Sequence, residues 1–302
     1  MPTSAPPASV PAATPRRRPF AQLDVFADRP QRGNPLAVVL EADGLSAEDM
    51  QRVARWTNLS ETTFLLSPTD PGADYRVRIF TPTGELPFAG HPMLGTARAW
   101  LDAGGVPAGE RIVQECAAGL IEVRRDGERL AFAAPPLLRS GPLDEDEVRR
   151  IAEALGLERA DVLGHAWVDN GPGWRVIELG SAARVLALAP DRGRLDGLKV
   201  GVLGAHPGAE GPSSGNGREP VSEPRYEVRA FTTGGVEDPV TGSLHAGIAQ
   251  WMLTRHPMPP RWSATQGAVL GRAGLVEITA EPSGTLWIGG ATLPTIQGTI
   301  LV

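Results

Sequence analysis

The chain has 302 residues, 41% hydrophobic and 21% charged, which is typical of soluble globular proteins and long enough for two ordinary domains. Its formal net charge is −6 and no basic run exceeds Arg16-Arg17-Arg18, so we expect no nucleic-acid partner. No apolar stretch could span a bilayer, and the single cysteine, Cys116, excludes an intrachain disulfide. These features favour a cytoplasmic protein.

Residues 1–19 are rich in proline, alanine and serine, which predicts a disordered tail, and they lack the apolar core of a secretory signal. Two lobes are predicted to follow, an N-terminal lobe over residues 20–135 and a C-terminal lobe over residues 143–302, joined by a proline-rich linker. Residues 204–224 have the composition of a mobile insertion in the second lobe. The final strand is expected to return to the first lobe.

Strands are predicted over most of both lobes, because short apolar and β-branched runs lie between turn signals. In the first lobe we place them near residues 20–26, 35–40, 63–67, 74–81, 111–115, 119–125 and 129–133. In the second lobe we place them near residues 164–169, 174–179, 184–188, 199–203, 225–232, 268–271, 274–280 and 284–289. Gly289-Gly290 is interpreted as a turn signal.

Two helices are predicted from similar capping patterns. Ser46 can cap the first helix, with Asp49 three residues on. Asp144 can cap the second, with Glu147 three residues on. We interpret the two helices as equivalent members of an internal duplication.

The duplication itself is most visible in one repeated motif. Residues 75–81 and 226–232 both read Tyr-x-Val-Arg-x-Phe-Thr. Each copy is soon followed by [His/Asp]-Pro-x-x-Gly-[Ser/Thr] and an apolar helical pattern. In this alignment His91 corresponds to Asp238, and the chemistry is expected where the copies differ.

The turn before each of these helices is suited to binding an anion. Pro92 fits the first helical position, which places His91 at or beside the helix cap, and Asp238 takes that place in the second copy. Helix N-termini attract anions, so two that converge on one cleft would hold a small carboxylate. Two plainer interpretations stay open, in which Asp238 only caps a helix and His91 is a buried, hydrogen-bonded histidine.

Glu61 is the candidate proton carrier. It lies in Asn58-Leu59-Ser60-Glu61-Thr62, between a predicted helix and an apolar strand. Burial there would raise its pKa towards the range in which one carboxyl can both accept and donate a proton. The alternative is an exposed loop glutamate. No counterpart of Glu61 is found in the second half.

Other side chains give weaker signals. Cys116 is interpreted as a core residue, and His245 could line the cleft because it follows Ser243 on the predicted helix. The remaining histidines have no metal-ligand spacing, and no phosphate-binding or dinucleotide fingerprint is present. Four tryptophans are interpreted as core or interface residues, namely Trp56, Trp100, Trp251 and Trp287.

Taken together, the ordered motifs resemble the PhzF family of phenazine-biosynthesis-like isomerases, which are related in fold to diaminopimelate epimerase. The segments that carry the resemblance are residues 20–39, 58–64, 88–92 and 237–243, with 266–272 and 289–290 similar to the family's closing part. The resemblance implies an α+β fold of two pseudo-symmetric lobes. Each lobe would wrap a β-sheet around a central helix, with the active site in the interlobe cleft.

The resemblance also implies an activity, a cofactor-independent shift of a proton and a double bond in trans-2,3-dihydro-3-hydroxyanthranilate. By matched position, Glu61 would be the general acid/base, and the other catalytic residues would be His91, Asp238 and Ser243. The substrate-binding residues would be Ser60, Gly90 and Gly242. No metal is implied, and a homodimer is expected. Met93 stands where the family more often has threonine, which bears on substrate identity.

Three alternatives remain at this stage. A racemase with two opposed cysteines is disfavoured, because the chain has one cysteine. An isomerase of another cyclic unsaturated amino acid in natural-product biosynthesis is the second. A non-catalytic small-molecule binder on the same scaffold is the third, and the intact set of site residues counts against it.

Overall fold

The computed structural model describes residues 15–208 and 224–302. Its first half contains eight strands and two helices in the order β1 (Arg17–Val25), β2 (Asn34–Val39), α1 (Ala47–Thr57), β3 (Glu61–Leu66), β4 (Tyr75–Phe80), β5 (Glu85–Leu86), α2 (Gly90–Asp102), β6 (Ile112–Cys116), β7 (Gly119–Asp126) and β8 (Arg129–Ala133). A connecting segment then holds β9 (Arg139–Gly141) and α3 (Glu145–Leu155).

The second half follows in the order β10 (Gly164–Asp169), β11 (Arg175–Leu179), α4 (Ala182–Leu186), β12 (Val200–Ala205), β13 (Tyr226–Phe231), β14 (Glu237–Asp238), α5 (Gly242–Arg255), β15 (Arg261–Gln266), β16 (Gly274–Ala280), β17 (Leu286–Gly290) and β18 (Thr292–Leu301). Short 3₁₀ turns lie at Arg159–Asp161 and Ala268–Leu270.

The two halves repeat one pattern of strand pairing. In the first half, β1–β2, β3–β4, β4–β5, β6–β7 and β7–β8 are antiparallel, and β2–β3 and β4–β6 are parallel. The strands from β10 to β17 repeat each of these pairings with the same sense. The duplication predicted from the repeated motif is therefore present in the chain topology.

Each half encloses one helix. Helix α2 contacts β1, β2, β3, β6, β7 and β8, and α5 contacts β10, β16 and β17. Both helices are buried along most of their length, as expected for helices that are apolar on all faces. Met93 lies fully buried in the hydrophobic core around α2.

Two antiparallel pairings connect the halves. Strand β8 pairs with β17, so that Phe132 lies opposite Ile288, and this joins both halves into one continuous sheet. Strand β18 pairs with β1, so that Arg17 lies opposite Leu301. Gly289 and Gly290 belong to β17 rather than to a turn. A Cβ on Gly289 would lie 2.5 Å from the Leu130 carbonyl oxygen, so close strand packing explains that glycine.

The predicted equivalence of the two capped helices is wrong. Helix α4 takes the place of α1, since each connects two parallel strands, and α3 stands outside the repeat. Residues 184–188 were predicted as a strand, but Ser181 caps a helix there by accepting a hydrogen bond from the Arg184 N–H at 3.3 Å. The Ser46 capping box is confirmed, whereas Asp144 makes no side-chain capping bond.

Other differences have similar local causes. Residues 268–271 form a 3₁₀ turn instead of a strand. Strand β15 escaped prediction because Ser263 and Gln266 occupy buried positions and obscure the apolar alternation. Strand β18 contains Pro294, which an edge strand tolerates. Trp56 is 77% exposed and is not a core residue.

The remaining predictions concern chain segments. Strand β1 begins at Arg17, before the predicted start near residue 20. Residues 1–14 of the predicted tail and residues 209–223 of the predicted insertion lie outside the described residues, while residues 204–205 belong to β12. Within the described ranges, no helix is long and apolar enough to cross a membrane.

Candidate active site

The N-termini of α2 and α5 meet at two glycines. A Cβ on Gly90 would lie 2.7 Å from the Ser243 nitrogen, and a Cβ on Gly242 would lie 3.1 Å from the His91 nitrogen. Neither helix has a side-chain capping bond, at Ala89 or at Thr241. The predicted convergence of the helix starts is therefore confirmed, and backbone N–H groups from both lie at the same point.

This contact corrects the alignment of the repeat. Glu85 pairs with Phe80 as Glu237 pairs with Phe231. The two helices begin at Gly90 and Gly242, five residues after these equivalent glutamates, so Gly90 corresponds to Gly242 and His91 to Ser243. By the same count Leu86 corresponds to Asp238. The predicted match of His91 with Asp238 is wrong, because it followed the prolines rather than the glycines that the helix contact requires.

Both capping predictions for this turn change as a result. His91 is the second residue of α2, and Asp238 lies on β14, three residues before the cap Thr241. Asp238 instead receives hydrogen bonds at its carboxylate. It accepts from Asn34 Nδ2 at 3.1 Å, from Ser60 Oγ at 3.3 Å and from Thr241 Oγ1 at 2.5 Å.

These contacts act on the charge of Asp238. Burial raises the pKa of Asp238 to about 6, while the hydrogen bonds from Thr241, Asn34 and Ser60 oppose that rise by stabilising the carboxylate. Asp238 is therefore mostly ionised near neutral pH, and its negative charge lies inside the site.

Glu61 and His91 form the second contact of the site. Glu61 begins β3, and its Oε2 lies 3.4 Å from His91 Nε2. The Glu61 side chain is 15% exposed and that of His91 is 4% exposed. Neither of the two atoms has a hydrogen-bond partner among the residues that the structure describes. They are thus positioned to act on a third group.

Burial sets the ionisation of this pair. It raises the pKa of Glu61 to about 8, with the charge of Asp238 adding to the rise and that of Lys199 opposing it. Burial lowers the pKa of His91 to about 3, so the imidazole is neutral. Near neutral pH, Glu61 exchanges readily between its acid and base forms, which suits a group that must carry a proton in both directions.

Asn34 links the two parts of the site and was not among the predicted site residues. Its Nδ2 lies 3.3 Å from His91 Nδ1, in addition to its contact with Asp238. Nδ2 also donates to the Val240 carbonyl oxygen at 2.8 Å. An amide nitrogen can only donate, so the contact with His91 is a hydrogen bond when Nδ1 accepts and the imidazole proton lies on Nε2, facing Glu61. The sequence signal was present in Gly33-Asn34-Pro35, but its polar residue was not assigned to the site.

Ser243 follows Gly242 at the glycine contact, and its hydroxyl is directed towards Trp174 of the second half. Its Oγ accepts from Trp174 Nε1 at 3.0 Å, and its carbonyl oxygen accepts from Asn170 Nδ2 at 2.8 Å. These bonds connect it to the second half, whereas Glu61, His91, Asp238 and Ser60 are grouped around Asn34. The predicted residues thus fall on both sides of the helix junction.

His245 lies beneath the site rather than in it. It is 1% exposed, and its Nε2 lies 3.0 Å from Gln266 Oε1. Gln266 accepts from the Thr241 N–H at 3.0 Å and donates to the Asp238 carbonyl oxygen at 2.9 Å. His245 therefore supports the turn that carries Asp238, through an amide that the predicted site did not include.

The second half does hold a counterpart of Glu61. Thr62 lies opposite Phe80 and Val200 opposite Phe231, and these phenylalanines are equivalent in the repeated motif. The preceding residues, Glu61 and Lys199, are consequently equivalent. The sequence alone suggested no counterpart, because a lysine does not resemble a glutamate. Strands β3 and β12 can be aligned only once their pairing with β4 and β13 is known.

Side chains that could bind a metal ion are not clustered in the described part of the chain. Across residues 15–208 and 224–302, no group of three or more histidine, cysteine, aspartate or glutamate side chains is placed to hold a metal ion. Cys116 is buried and free, with its thiol directed at the Gly119 carbonyl oxygen at 3.4 Å.

The repeated fold therefore holds a buried carboxyl, Glu61, beside a buried imidazole, His91, at the junction of its two enclosed helices. Comparison with known proteins identifies the family. The model of the PhzC-PhzF family, described as phenazine biosynthesis-like protein, matches residues 23–293, and the chain belongs to this family. The predicted family is confirmed.

Three relatives illustrate the similarity. The chain is 35% identical to antisense-enhancing sequence 1 of Schizosaccharomyces pombe, over 92% of this chain and 97% of that protein. It is 35% identical to the trans-2,3-dihydro-3-hydroxyanthranilate isomerase of Pseudomonas aeruginosa, over 88% of this chain and 91% of that protein. A solved structure described as a predicted epimerase from P. aeruginosa is 27% identical with a TM-score of 0.74, covering 94% of this chain and 99% of that one. These similarities confirm the α+β fold class and the assignment to isomerases.

Proposed function

We propose that the protein is a cofactor-independent isomerase that moves a proton and a double bond in a small ring substrate bearing a carboxylate. The observation that carries the proposal is the buried Glu61 carboxyl, with its raised pKa, 3.4 Å from a neutral His91. Removing a weakly acidic C–H proton from such a substrate needs a base that can return the proton elsewhere on the same face of the ring. One carboxyl with a pKa near neutrality meets that need.

The substrate would be held by groups around the glycine contact. Its carboxylate would lie at the N-termini of α2 and α5, where N–H groups and helix dipoles favour an anion. Gly90 and Gly242 would give it access to the backbone, and Ser60 would flank it beside Asp238. This anchoring would fix the reacting carbon relative to Glu61. Such positioning can supply a large part of an enzyme's rate enhancement.

The remaining residues would polarise the ring and assist the proton transfer. His91 presents the N–H of Nε2, and Asp238 holds a negative charge that keeps the Glu61 carboxyl basic. Ser243 accepts from Trp174, which leaves its own O–H to donate.

The names of two relatives support a substrate class. Trans-2,3-dihydro-3-hydroxyanthranilate is the substrate in the name of the P. aeruginosa relative and of a Pseudomonas chlororaphis relative that is 37% identical over 87% of this chain. We propose this compound, or one with the same arrangement of ring, carboxylate and labile C–H, together with a role in phenazine-type secondary metabolism. We also propose a cytoplasmic homodimer, on the basis of the family.

The test is proton NMR of trans-2,3-dihydro-3-hydroxyanthranilate with the protein in D₂O, beside the variant Glu61→Gln. The proposal predicts turnover with deuterium in the product, and loss of both in the variant. Turnover that persists in Glu61→Gln would remove Glu61 from the mechanism. A folded protein with no turnover of this compound would overturn the proposed substrate.

A further inference from the structure

Lys199 is the single lysine in a chain with 29 lysine and arginine residues. It directly precedes β12, and its carbonyl oxygen accepts from the Arg175 N–H at 3.0 Å, which continues the strand ladder by one residue. It therefore holds a defined backbone position, equivalent to that of Glu61 in the first half.

The direction of its side chain follows from its neighbours on the strand. Residues two apart on a strand share a face. Thr63 accepts a hydrogen bond from Thr96 of α2 at 2.8 Å, so the face shared by Glu61 and Thr63 is directed towards α2. A Cβ on Gly201 would lie 2.6 Å from the Leu244 side chain of α5, so the face shared with Lys199 is directed towards α5.

The two faces approach the same junction. Leu244 is the third residue of α5, beside the glycine contact between the helix starts. Glu61 reaches the start of α2, as its contact with His91 shows. By the repeat, Lys199 approaches the start of α5 from the other side of the site.

The ammonium of Lys199 has no direct partner. Among the residues that the structure describes, it makes no hydrogen bond or ion pair, although it is half-buried. The carboxylate of Asp169 acts on it from a distance, but Asp169 Oδ1 is engaged by the N–H groups of Gly171 and Gly173 at 2.8 and 2.6 Å. Burial lowers the pKa of Lys199, and the charges of Asp169 and Glu61 oppose the change.

A half-buried ammonium without a direct counter-ion is available to pair with an anionic ligand. Helix N-termini at the same junction already favour an anionic group. We propose that Lys199 is a substrate-binding residue whose ammonium contacts the carboxylate of the substrate, beside the first turn of α5. This deepens the proposed function, because it rests on the same site and assigns the recognition of the carboxylate to a named side chain.

The proposal separates binding from proton transfer. A charge-assisted hydrogen bond from Lys199 would form with the bound substrate as well as with the transition state, so its loss should raise KM more than it lowers kcat. For Lys199→Met we expect KM to rise roughly ten- to hundredfold, with Lys199→Arg retaining much of the affinity.

The single lysine allows a direct binding measurement. Reductive methylation with ¹³C-formaldehyde labels the Lys199 amine and the chain's α-amine and preserves their charge. The ¹³C NMR spectrum of labelled Lys199→Arg lacks the Lys199 resonance and so identifies it. The labelled protein is titrated with anthranilate, an aromatic carboxylate that cannot undergo the isomerisation. Anthranilamide, its neutral amide, is the matched control ligand.

We expect anthranilate to shift the Lys199 resonance saturably and anthranilamide to leave it unchanged. Calorimetry of the unlabelled protein should show anthranilate binding weakened at least about tenfold in Lys199→Met and largely kept in Lys199→Arg. Should Lys199→Met fail to fold, the titration of the labelled wild type still decides. Equal shifts with both ligands, binding unchanged in Lys199→Met, or no saturable binding of anthranilate would each overturn the proposal.

These outcomes are separate from those for the proposed function. Lys199-dependent anthranilate binding without turnover of trans-2,3-dihydro-3-hydroxyanthranilate would retain the carboxylate site and overturn the proposed substrate. Glu61-dependent turnover with an unchanged KM in Lys199→Met would retain the proposed function and overturn the role of Lys199.

Discussion

Glu61 Oε2 lies 3.4 Å from His91 Nε2, and burial moves the pKa of each group towards its neutral form. The contact therefore joins a carboxyl that is protonated at neutral pH to an imidazole that is not charged. Neither side chain compensates a charge on the other, and both keep hydrogen-bonding capacity for a ligand.

The pH dependence of activity should report the ionisation of Glu61. A proton can be taken from carbon only by the carboxylate, so kcat/KM should rise with pH and level off above about 8. In Asp238→Asn the rise should occur at lower pH, because the charge of Asp238 contributes to the raised pKa of Glu61. The measurement is kcat/KM between pH 5 and pH 10. A profile that is flat between pH 6 and pH 9 would contradict this assignment.

Glu61 should also affect stability in a pH-dependent way. Its folded-state pKa of about 8 exceeds its ordinary value, so between the two the folded state holds a proton that the unfolded state has lost. Stability should therefore fall as pH rises through this window. Glu61→Gln stays uncharged, and its Tm should match the wild type at pH 5 and exceed it at pH 9. Exposed Glu110→Gln is the control, for which we expect no such divergence.

Asp238→Ala should destabilise the fold without removing a helix cap. The variant leaves the donors of Asn34, Ser60 and Thr241 without their acceptor, which should cost about 2–4 kcal/mol in the free energy of unfolding. Asp144→Ala is a matched control, because Asp144 stands at a helix cap but makes no side-chain capping bond. Urea unfolding compares the two. Equal losses would mean that the hydrogen bonds to Asp238 contribute little.

Gly90→Ala should disturb the junction of the two helices. The new Cβ would lie 2.7 Å from backbone nitrogen, too close for contact, so we expect a loss of about 1–3 kcal/mol and of most activity. Gly242→Ala, at 3.1 Å, should be milder. Gly84→Ala meets no atom within 4 Å and serves as the control. Unchanged stability in Gly90→Ala would show that the helix starts separate easily.

Two equivalent ion pairs provide an internal comparison. Arg229 and Glu237 are 4% and 6% exposed, whereas Arg78 and Glu85, at the same positions of the first half, are 28% and 37% exposed. Arg229→Met should cost about 3–5 kcal/mol because it leaves a buried carboxylate alone, and Arg78→Met should cost less than about 1 kcal/mol. Chemical denaturation of both variants measures the difference, and similar losses would show that burial does not control these pairs.

Much of the architecture was predictable from short-range patterns. The residue-by-residue correspondence between the two halves was not. The repeated strand motif revealed the duplication because it places the same side chains on the same buried face. The alignment of His91 with Asp238 failed because two prolines fell in similar local patterns. Only the three-dimensional contact between Gly90 and Gly242 shows which residues of the two halves correspond.

The candidate site was likewise only partly predictable from the sequence. Glu61, His91 and Ser60 could be proposed from ordered motifs, and the structure places them with Asp238 around Asn34. Asn34 was missed although Gly33-Asn34-Pro35 lies in a segment that carries the family resemblance, because asparagine in a turn is common and its partners lie far along the chain. Lys199 stayed hidden for a related reason, since its equivalence to Glu61 depends on strand pairing.

The pairing of β18 with β1 also constrains how the chain is made. Strand β1 is among the first described segments to leave the ribosome, yet its neighbour β18 is the last. Until Thr292–Leu301 emerges, one edge of β1 has only water for its hydrogen bonds, and closing so long a loop is slow. The strands from β10 to β17 pair only with strands that precede β18, so β1 is the strand that waits longest for a partner.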